Sequence, residues 1–158
     1  MGELQIIDEL QKQHKFEIYL PLKDKGIDFI GVKNNNSVQI QVKTSIYQRE
    51  DYYFFNLHKS KMVYTKNTFY IFVLYVLPGG KMMGKKRNFL ILPSLVLQEM
   101  IKNESIVSKK GDAEILPIFI YPDEEGRKWI YKFKGKSVDL TNYWNHFDLL
   151  EKVISSKE

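Results

Sequence analysis

The feature that most restricts the fold is a polar turn, Asn34-Asn35-Asn36-Ser37, between two apolar segments. Residues 27–33 before the turn have the composition of a strand, and residues 38–45 after it alternate between apolar and polar side chains. Asparagine and serine are favoured in turns because their side chains bond to nearby backbone groups. The pattern therefore predicts a β-hairpin whose two faces differ in polarity.

The register of this hairpin decides which polar side chains meet. A turn of even length centred between residues 35 and 36 sets Asp28 opposite Lys43. Opposed residues lie on the same face, and so do residues two apart on one strand. We therefore expect Asp28, Gln41 and Lys43 to converge on the polar face. A register slip of one residue would separate them.

These three residue types suit the hydrolysis of a phosphodiester. That reaction uses a divalent cation held by oxygen ligands, positive charge near the phosphorus and an activated water. Asp28 supplies an anionic oxygen, Gln41 a neutral carbonyl oxygen, and the backbone carbonyl of Val42 a third ligand. Lys43 can orient the water or stabilise the transition state. A carboxylate from the preceding helix would complete the metal site.

Hydrophobic periodicity extends the hairpin into an α/β domain of mixed α+β type. The predicted strands cover residues 16–20, 52–57, 69–77, 88–92, 115–121 and 128–133. Of these, the apolar run 69–77 is expected to be central, and the last two are expected to form a C-terminal hairpin. Helices are predicted over residues 2–15, 59–65 and 94–101, with Ser94 as the N-cap of the third. A C-terminal helix is marked by Tyr143, Phe147, Leu150 and Ile154.

Composition narrows the class of protein. The 158 residues, 44% of them hydrophobic, suit a single domain over residues 1–158. A net charge of +5 favours a polyanionic partner, although a lysine-rich solvated surface gives the same charge. The lack of cysteine excludes disulfides, thiolate catalysis and cysteine-based zinc sites. No segment resembles a signal peptide or a membrane span, so we expect a cytoplasmic protein with no membrane partner.

Several short strings near the N-terminus resemble the core of the PD-(D/E)XK nuclease superfamily. They are Gly2-Glu3-Leu4, Leu10, Gly26-Ile27-Asp28 and Ile40-Gln41-Val42-Lys43-Thr44-Ser45. They are most similar to the branch with Mrr-type restriction endonucleases and archaeal Holliday junction resolvases. The resemblance implies a restriction-endonuclease-like αβββαβ core over about residues 1–77, with a mixed sheet flanked by helices, and an extension over about 78–158. It also implies DNA cleavage dependent on Mg²⁺ or Mn²⁺.

The resemblance also assigns roles to residues. It implies that Asp28 is the metal-binding aspartate, that Gln41 and Lys43 form the last pair of the motif, and that Glu3 is the helix glutamate of the metal site. Glu9 is a competing helix carboxylate, but Glu3 fits the family spacing better. Gln41 departs from the usual acid, although Mrr-like members carry glutamine. Its neutral side chain should weaken metal binding and leaves the number of ions open.

Basic residues elsewhere suggest contact with nucleic acid. The loop after the apolar run is predicted to touch a DNA backbone through Lys81, Lys85, Lys86 and Arg87, with a merely solvated loop as the alternative. Its glycines nearly form a phosphate-binding loop, but the serine or threonine after the lysine is missing, so no nucleotide cofactor is expected. A positively charged strand face is predicted from Lys128, Lys132, Lys134 and Lys136.

The aromatic and histidine residues each allow a structural and a functional interpretation. Residues 52–55, Tyr-Tyr-Phe-Phe, suit a stacking platform for bases, but alternation on a strand favours burial of one pair in the core. The three histidines show no metal-ligand spacing and predict no zinc site: His14, His58 and His146.

Two function classes follow from the sequence. The first is a metal-dependent deoxyribonuclease, most simply a homodimer because a symmetric pair of sites can cut two strands. The second is an inactive nuclease-fold module that binds nucleic acid or a protein partner, which Gln41 favours. Intact Glu3, Asp28 and Lys43 favour the first class, because a site that had lost its function would be expected to lose a buried lysine or aspartate, which is costly to keep without a partner.

Overall fold

The structure is a computed structural model that describes residues 2–23, 25–46, 51–75, 88–103, 114–123 and 125–156. Within these residues, helices α1 to α3 cover Gly2–Lys12, Ser94–Lys102 and Asp148–Ser155. Strands β1 to β9 cover Glu17–Tyr19, Phe29–Lys33, Asn36–Ile46, Tyr53–His58, Thr68–Tyr75, Phe89–Pro93, Ile115–Pro122, Trp129–Phe133 and Lys136–Asp139. Short 3-10 turns cover Lys59–Lys61 and Thr141–Tyr143.

The strands form two sheets, so the predicted mixed α/β class is confirmed. The first sheet has the order β1-β2-β3-β5-β6 and is mixed, because β3 and β5 are parallel while the other neighbours are antiparallel. The second sheet has the order β4-β7-β8-β9 and is antiparallel throughout. Strand β5 lies between β3 and β6, as expected for the longest apolar run.

Strand β5 is apolar on both faces because each face covers a different core. One face joins the core between the two sheets, to which α2 also contributes, through Tyr70, Phe72 and Leu74. The other face joins a core under α1 and α3, through Phe69, Ile71 and Val73. Strand β3 adds only its apolar side chains to this second core: Val38, Ile40 and Val42. Its polar side chains lie on the side of the first sheet that faces the second sheet.

The predicted helix over residues 59–65 is wrong, because only the 3-10 turn Lys59–Lys61 forms there. The backbone beyond that turn is extended, and its donors bond to side chains from other elements. The N–H of Val63 donates to the hydroxyl of Tyr70 at 2.9 Å. A backbone donor engaged in this way does not bond to a carbonyl four residues earlier, so the helix cannot continue.

The prediction that Ser94 is the N-cap of α2 is also wrong. Pro93 occupies that position and forms no side-chain cap bond. The hydroxyl of Ser94 instead donates to the carbonyl of Thr65 at 2.8 Å and accepts the N–H of Thr65 at 3.0 Å. This reciprocal pair joins the start of α2 to the extended segment before β5, and it satisfies a serine that is fully buried.

The second half of the chain differs from the expectation in two places. The predicted C-terminal hairpin, β7 with β8, is confirmed, but β9 adds a third antiparallel strand that was not predicted. Tyr143 lies in a 3-10 turn and not in α3, because Asn145 has a φ of 49° that interrupts the helix. In the first half, the strand predicted over residues 52–57 is confirmed as β4, which pairs with β7 of the second sheet.

None of the helices in the described part of the chain is long and apolar enough to cross a membrane.

We expect Phe72→Ala to lower the free energy of unfolding by about 3–5 kcal/mol, as large-to-small aromatic changes in a core do. Phe72 is 0% exposed, and its ring packs edge-on against Phe55 with 4.9 Å between ring centroids. Leu20→Ala is the matched control, because Leu20 is 73% exposed and should change stability by less than about 0.5 kcal/mol. Urea unfolding measures both, and equal losses would contradict the inter-sheet core.

Candidate active site

The hairpin turn consists of Asn34 and Asn35 alone. Their φ angles of 52° and 61° are left-handed, as a type I′ turn requires at its two central positions. The flanking residues Lys33 and Asn36 pair directly, and the register runs on to Phe29 opposite Ile40. The expected pairing of Asp28 with Lys43 is therefore wrong. The register differs by two residues, an even number, so the predicted polar residues still share a face.

The carboxylate of Asp28 is held by two donors from β3. Its Oδ2 accepts the backbone N–H of Val42 at 2.6 Å and the side-chain Nε2 of Gln41 at 2.7 Å. The backbone N–H of Asp28 donates to the carbonyl of Ile40, the residue that pairs with Phe29, at 2.9 Å, and this bond holds the backbone of Asp28 against β3. The orientation of this half-buried carboxylate is thus determined by the neighbouring strand.

Asp28, Gln41 and Lys43 line one cavity of about 180 Å³. The loop before β2, the end of β4 with its 3-10 turn, and β5 supply the other walls. These further lining residues were not predicted: Gly26, Leu57, His58, Lys61, Met62 and Tyr70. The pairing of β3 with β5 and the folding of the second sheet over the first bring them together, and neither leaves a local pattern. The run of basic residues after β4 is the one sequence signal that points toward them.

Gly26 fits against the 3-10 turn so closely that no side chain can replace its hydrogen. Its φ is +78°, and a Cβ atom added there would overlap the backbone carbonyl oxygen of Lys61. The contact fixes the loop that leads to Asp28 against the segment that follows β4. The segment that follows β4 of the second sheet thus forms part of the cavity wall, whereas the predicted residues Asp28, Gln41 and Lys43 come from the hairpin of the first sheet.

Tyrosines around the cavity are neutral. Burial raises the pKa of Tyr70, and the hydrogen bond from Val63 opposes it to a smaller extent. Burial also raises the pKa of Tyr64, to which the neighbouring Tyr70 adds. Both hydroxyls are therefore protonated at physiological pH, and Asp28 is the one acid among the described residues that line the cavity.

Glu3 lies apart from this cluster. It is exposed in the first turn of α1, and its helix packs through Ile6 and Leu10 on the opposite face of the sheet. A hydrogen bond from its own backbone N–H lowers the pKa of Glu3, which outweighs the effect of burial. Neither Glu3 nor Glu9 lines the cavity, and Glu9 lies 4.0 Å from His14 Nε2.

The oxygen donors at the cavity suit a hard divalent cation. A carboxylate, an amide oxygen and a backbone carbonyl are the ligands that Mg²⁺ and Mn²⁺ prefer. Gln41 Nε2 lies 3.4 Å from the carbonyl oxygen of Val42 as well as 2.7 Å from Asp28 Oδ2, so the three groups are adjacent. Gln41 can present its oxygen to a cation at this place after rotation of its amide about χ3, a broad two-fold torsion.

A second group of potential ligands lies at the other end of the hairpin. His14, Asp148 and Glu151 each place one ligand atom within 4.8 Å of the others. Lys33 Nζ donates to Glu151 Oε1 at 2.5 Å and to the carbonyl of His14 at 2.8 Å. The ring of His14 stacks on Phe147 with 5.1 Å between centroids. These contacts join α1, the hairpin and α3, which gives the cluster a structural role.

The residues predicted to contact a DNA backbone lie outside the described part of the chain: Lys81, Lys85, Lys86 and Arg87.

Comparison with known proteins supports a nuclease-like fold. No family model and no curated protein matches the sequence. Among solved structures, a bacterial homing endonuclease, I-Ssp6803I, matches with a TM-score of 0.58 at 15% sequence identity. The match covers 99% of this chain and 91% of that chain. The likeness therefore extends over both sheets and is a likeness of fold.

We expect Gly26→Ala to destabilise the protein more than Gly135→Ala, although their φ angles are +78° and +77°. A left-handed alanine costs roughly 1–2 kcal/mol at either position. At Gly26 the overlap with Lys61 adds about 1–3 kcal/mol, whereas nothing lies within 4 Å of a Cβ at Gly135. Chemical unfolding measures both variants. Equal losses would show that the contact with Lys61 is not tight.

Proposed function

We propose that the protein is a metal-dependent endonuclease of the PD-(D/E)XK type that hydrolyses DNA phosphodiester bonds. The observation that carries the proposal is the cavity at which Asp28, Gln41 and Lys43 meet on one face of the hairpin. The fold shared with a homing endonuclease supports it. The net charge of +5 favours a polyanionic substrate, and the resemblance to restriction- and resolvase-like enzymes makes that substrate DNA.

The cofactor in this proposal is Mg²⁺ or Mn²⁺, held by Asp28, Gln41 and the carbonyl of Val42. Such an ion supplies a Lewis acid for the phosphate oxygens and lowers the pKa of a bound water. Asp28 is oriented for binding by the N–H of Val42. Since Gln41 is neutral, we expect the free protein to bind the ion weakly, and the ion to bind more tightly when DNA phosphates complete its shell.

Lys43 has the role of orienting the attacking water and stabilising the charge that develops on the phosphate. It is half-buried, and it shares the polar face with Gln41 because the two residues are two apart on β3. Partial desolvation strengthens the attraction between its ammonium group and an anionic transition state. The role requires a cation at this position, so a neutral side chain of similar length should not replace it.

Three further assignments rest on the sequence. The resemblance assigns Glu3 to the metal site, although its helix packs on the face of the sheet opposite the cavity. The loop cations contact the DNA backbone (Lys81, Lys85, Lys86 and Arg87), and a homodimer presents one cavity to each strand. Glu3→Gln tests the first of them. A loss of activity close to that of an Asp28 variant would support a ligand role, and unchanged activity would remove Glu3 from the site.

Asp28→Asn and Lys43→Gln should each reduce Mg²⁺-dependent cleavage of plasmid DNA by about 10²-fold or more, because each removes a charge at the reacting phosphate. Lys12→Gln is the matched control: Lys12 pairs with Asp8 on the surface of α1, so cleavage should be unchanged. Gel assays with plasmid, branched and single-stranded DNA measure the rates. Full activity in either cavity variant would refute the proposal.

Gln41→Glu should tighten Mn²⁺ binding by about tenfold, because it adds a negative charge beside Asp28. Without metal the two carboxylates repel each other, so the melting temperature in EDTA should fall and then rise with Mn²⁺ by more than that of the parent protein. Gln39→Glu places the same charge on the same face two residues earlier, where Gln39 Oε1 accepts from Thr68 at 3.1 Å. Equal Mn²⁺ shifts in both variants would contradict a metal site at Gln41.

A non-catalytic module that binds nucleic acid or a protein partner is the second candidate. The observation that favours it is that Gln41 presents Nε2, and not its oxygen, to Asp28, an arrangement that satisfies the carboxylate without a cation. This candidate predicts salt-sensitive DNA binding that EDTA does not alter. It also predicts no Mn²⁺-dependent melting shift in the parent protein or in Gln41→Glu.

A further inference from the structure

Aromatic rings cluster on the outer face of the second sheet, the face that points away from the inter-sheet core. Phe119 of β7 lies at the centre, with 5.1 Å between its ring centroid and that of Phe54 and 5.6 Å to that of Tyr52. It stacks on Phe133 at 5.2 Å with an angle of only 13° between the ring planes. Phe133 lies at the end of β8 on the side of Tyr131, and it also packs against the margin of the inter-sheet core. Tyr121 adds a fifth ring, 5.4 Å from Tyr52. All five rings are half-buried.

The pairing of β4 with β7 explains why the rings of Phe54 and Phe119 are outside the core. Phe54 pairs with Phe119, while the neighbouring residues Tyr53 and Ile120 pair on the opposite face. Tyr53 is 1% exposed and Ile120 0%, so the inner face already fills the core between the sheets. The predicted alternation along residues 52–55 is thus confirmed: Tyr53 and Phe55 are buried in the core, and Tyr52 and Phe54 remain half-exposed on the outer face.

Lysine side chains lie over the same rings. Lys132 Nζ is 5.4 Å from the centroid of Tyr121, and Lys134 Nζ is 5.5 Å from that of Phe133. An open cavity of about 400 Å³ lies between Phe119 and the β8–β9 turn that carries Lys134 and Lys136. Neither Lys132 nor Lys136 forms a salt bridge within the part of the chain that the structure describes.

Cross-strand packing alone explains only part of this arrangement. Aromatic pairs stabilise neighbouring strands, and lysines commonly solubilise an outer sheet face. Packing does not require an open cavity beside the rings or unpaired ammonium groups along its margin. Half-exposed rings bordered by such cations match a ligand with flat apolar groups attached to an anionic backbone. Single-stranded nucleic acid has this chemistry, because its bases are free to stack on side chains.

We propose that this outer face and the adjoining end of the β8–β9 hairpin bind single-stranded DNA at the cavity between them, with bases stacked on Phe119, Tyr121 and Phe133 and phosphates paired with Lys132 and Lys136. We refer to these five residues as the aromatic–lysine face. Stacking needs only the flat surface of a base, so binding at this face has little dependence on sequence. The face lies on the second sheet, and its binding requires no metal.

Acidic side chains also lie close to this face. Asp139 of β9 shares it, because Asp139 pairs with Ile130 and Ile130 pairs with Tyr121. Burial, followed by the charges of Asp51 and Tyr52, raises the pKa of Tyr121. Tyr121 is therefore an uncharged phenol at physiological pH and does not repel a phosphate. Asp51 and Asp139 are exposed, so salt and water screen their repulsion of a bound strand.

The test measures binding of a fluorescein-labelled oligothymidylate by fluorescence anisotropy in EDTA, so that cleavage does not contribute. Phe119→Leu and Tyr121→Leu should each weaken binding about tenfold by removing a stacking surface. Lys132→Gln and Lys136→Gln should each lower the slope of log affinity against log salt concentration by about 0.7, the value for one phosphate contact on a single strand. The leucine variants should keep the slope of the parent protein.

Tyr19→Leu and Lys12→Gln are the matched controls, since they remove an exposed ring from β1 and an exposed charge from α1. Both should bind like the parent protein. Melting curves identify any leucine variant that fails to fold, and the exposed lysines remain informative in that case. The proposal is overturned if the parent protein does not bind the oligonucleotide, or if the face and control variants bind alike. It is also overturned if duplex DNA binds more tightly than the single-stranded oligonucleotide and if the leucine variants weaken duplex binding by the same factor.

Discussion

The site depends on one carboxylate that completes a β-ladder. Strand β2 begins at Phe29, opposite Ile40, while β3 continues to Ile46, and the next N–H of β3 on that side, at Val42, is bonded by Asp28 Oδ2. An unmet N–H at this half-buried position would be costly, so the local backbone itself favours an acceptor there. The same bond fixes Asp28 beside Gln41. The carboxylate of Asp28 therefore both stabilises the end of the hairpin and shapes the cavity, so the two properties depend on the same hydrogen bonds.

The first sheet and its polar face could be predicted because period-two patterns are local. The register could not, because residues 34–37 offer several turns of similar chemistry, and only the left-handed backbone of Asn34 and Asn35 selects the tight one. The predicted set of residues on the polar face is still correct, because the predicted and observed registers differ by two residues, an even number. Lys61 and Tyr70 could not be placed at the cavity from local patterns. They reach it through a parallel pairing and through a glycine contact that span distant parts of the chain.

The two sheets divide the burial of apolar surface between them. Strand β5 contributes one face to each core, so the first sheet is covered on both sides, by helices α1 and α3 and by the second sheet. Among the described residues, the second sheet is covered on one side only, and its outer face carries the aromatic and basic side chains. The helix predicted after β4 is reduced to a 3-10 turn, and the extension of the chain supplies the strands with which β4 pairs. The second half of the chain thus supplies three of the four strands of the second sheet.

Strand β4 has a geometric consequence. Tyr52 stands just before it, beside the aromatic–lysine face, and His58 at its other end lines the cavity, six residues further along. At about 3.3 Å per residue the two points are about 20 Å apart, and pairing with β7 along the whole strand keeps that spacing rigid. Six stacked nucleotides at about 3.4 Å each cover the same length. Strand β4 therefore fixes a spacing of about 20 Å between the rings proposed to bind a DNA strand and the cavity proposed to cleave it.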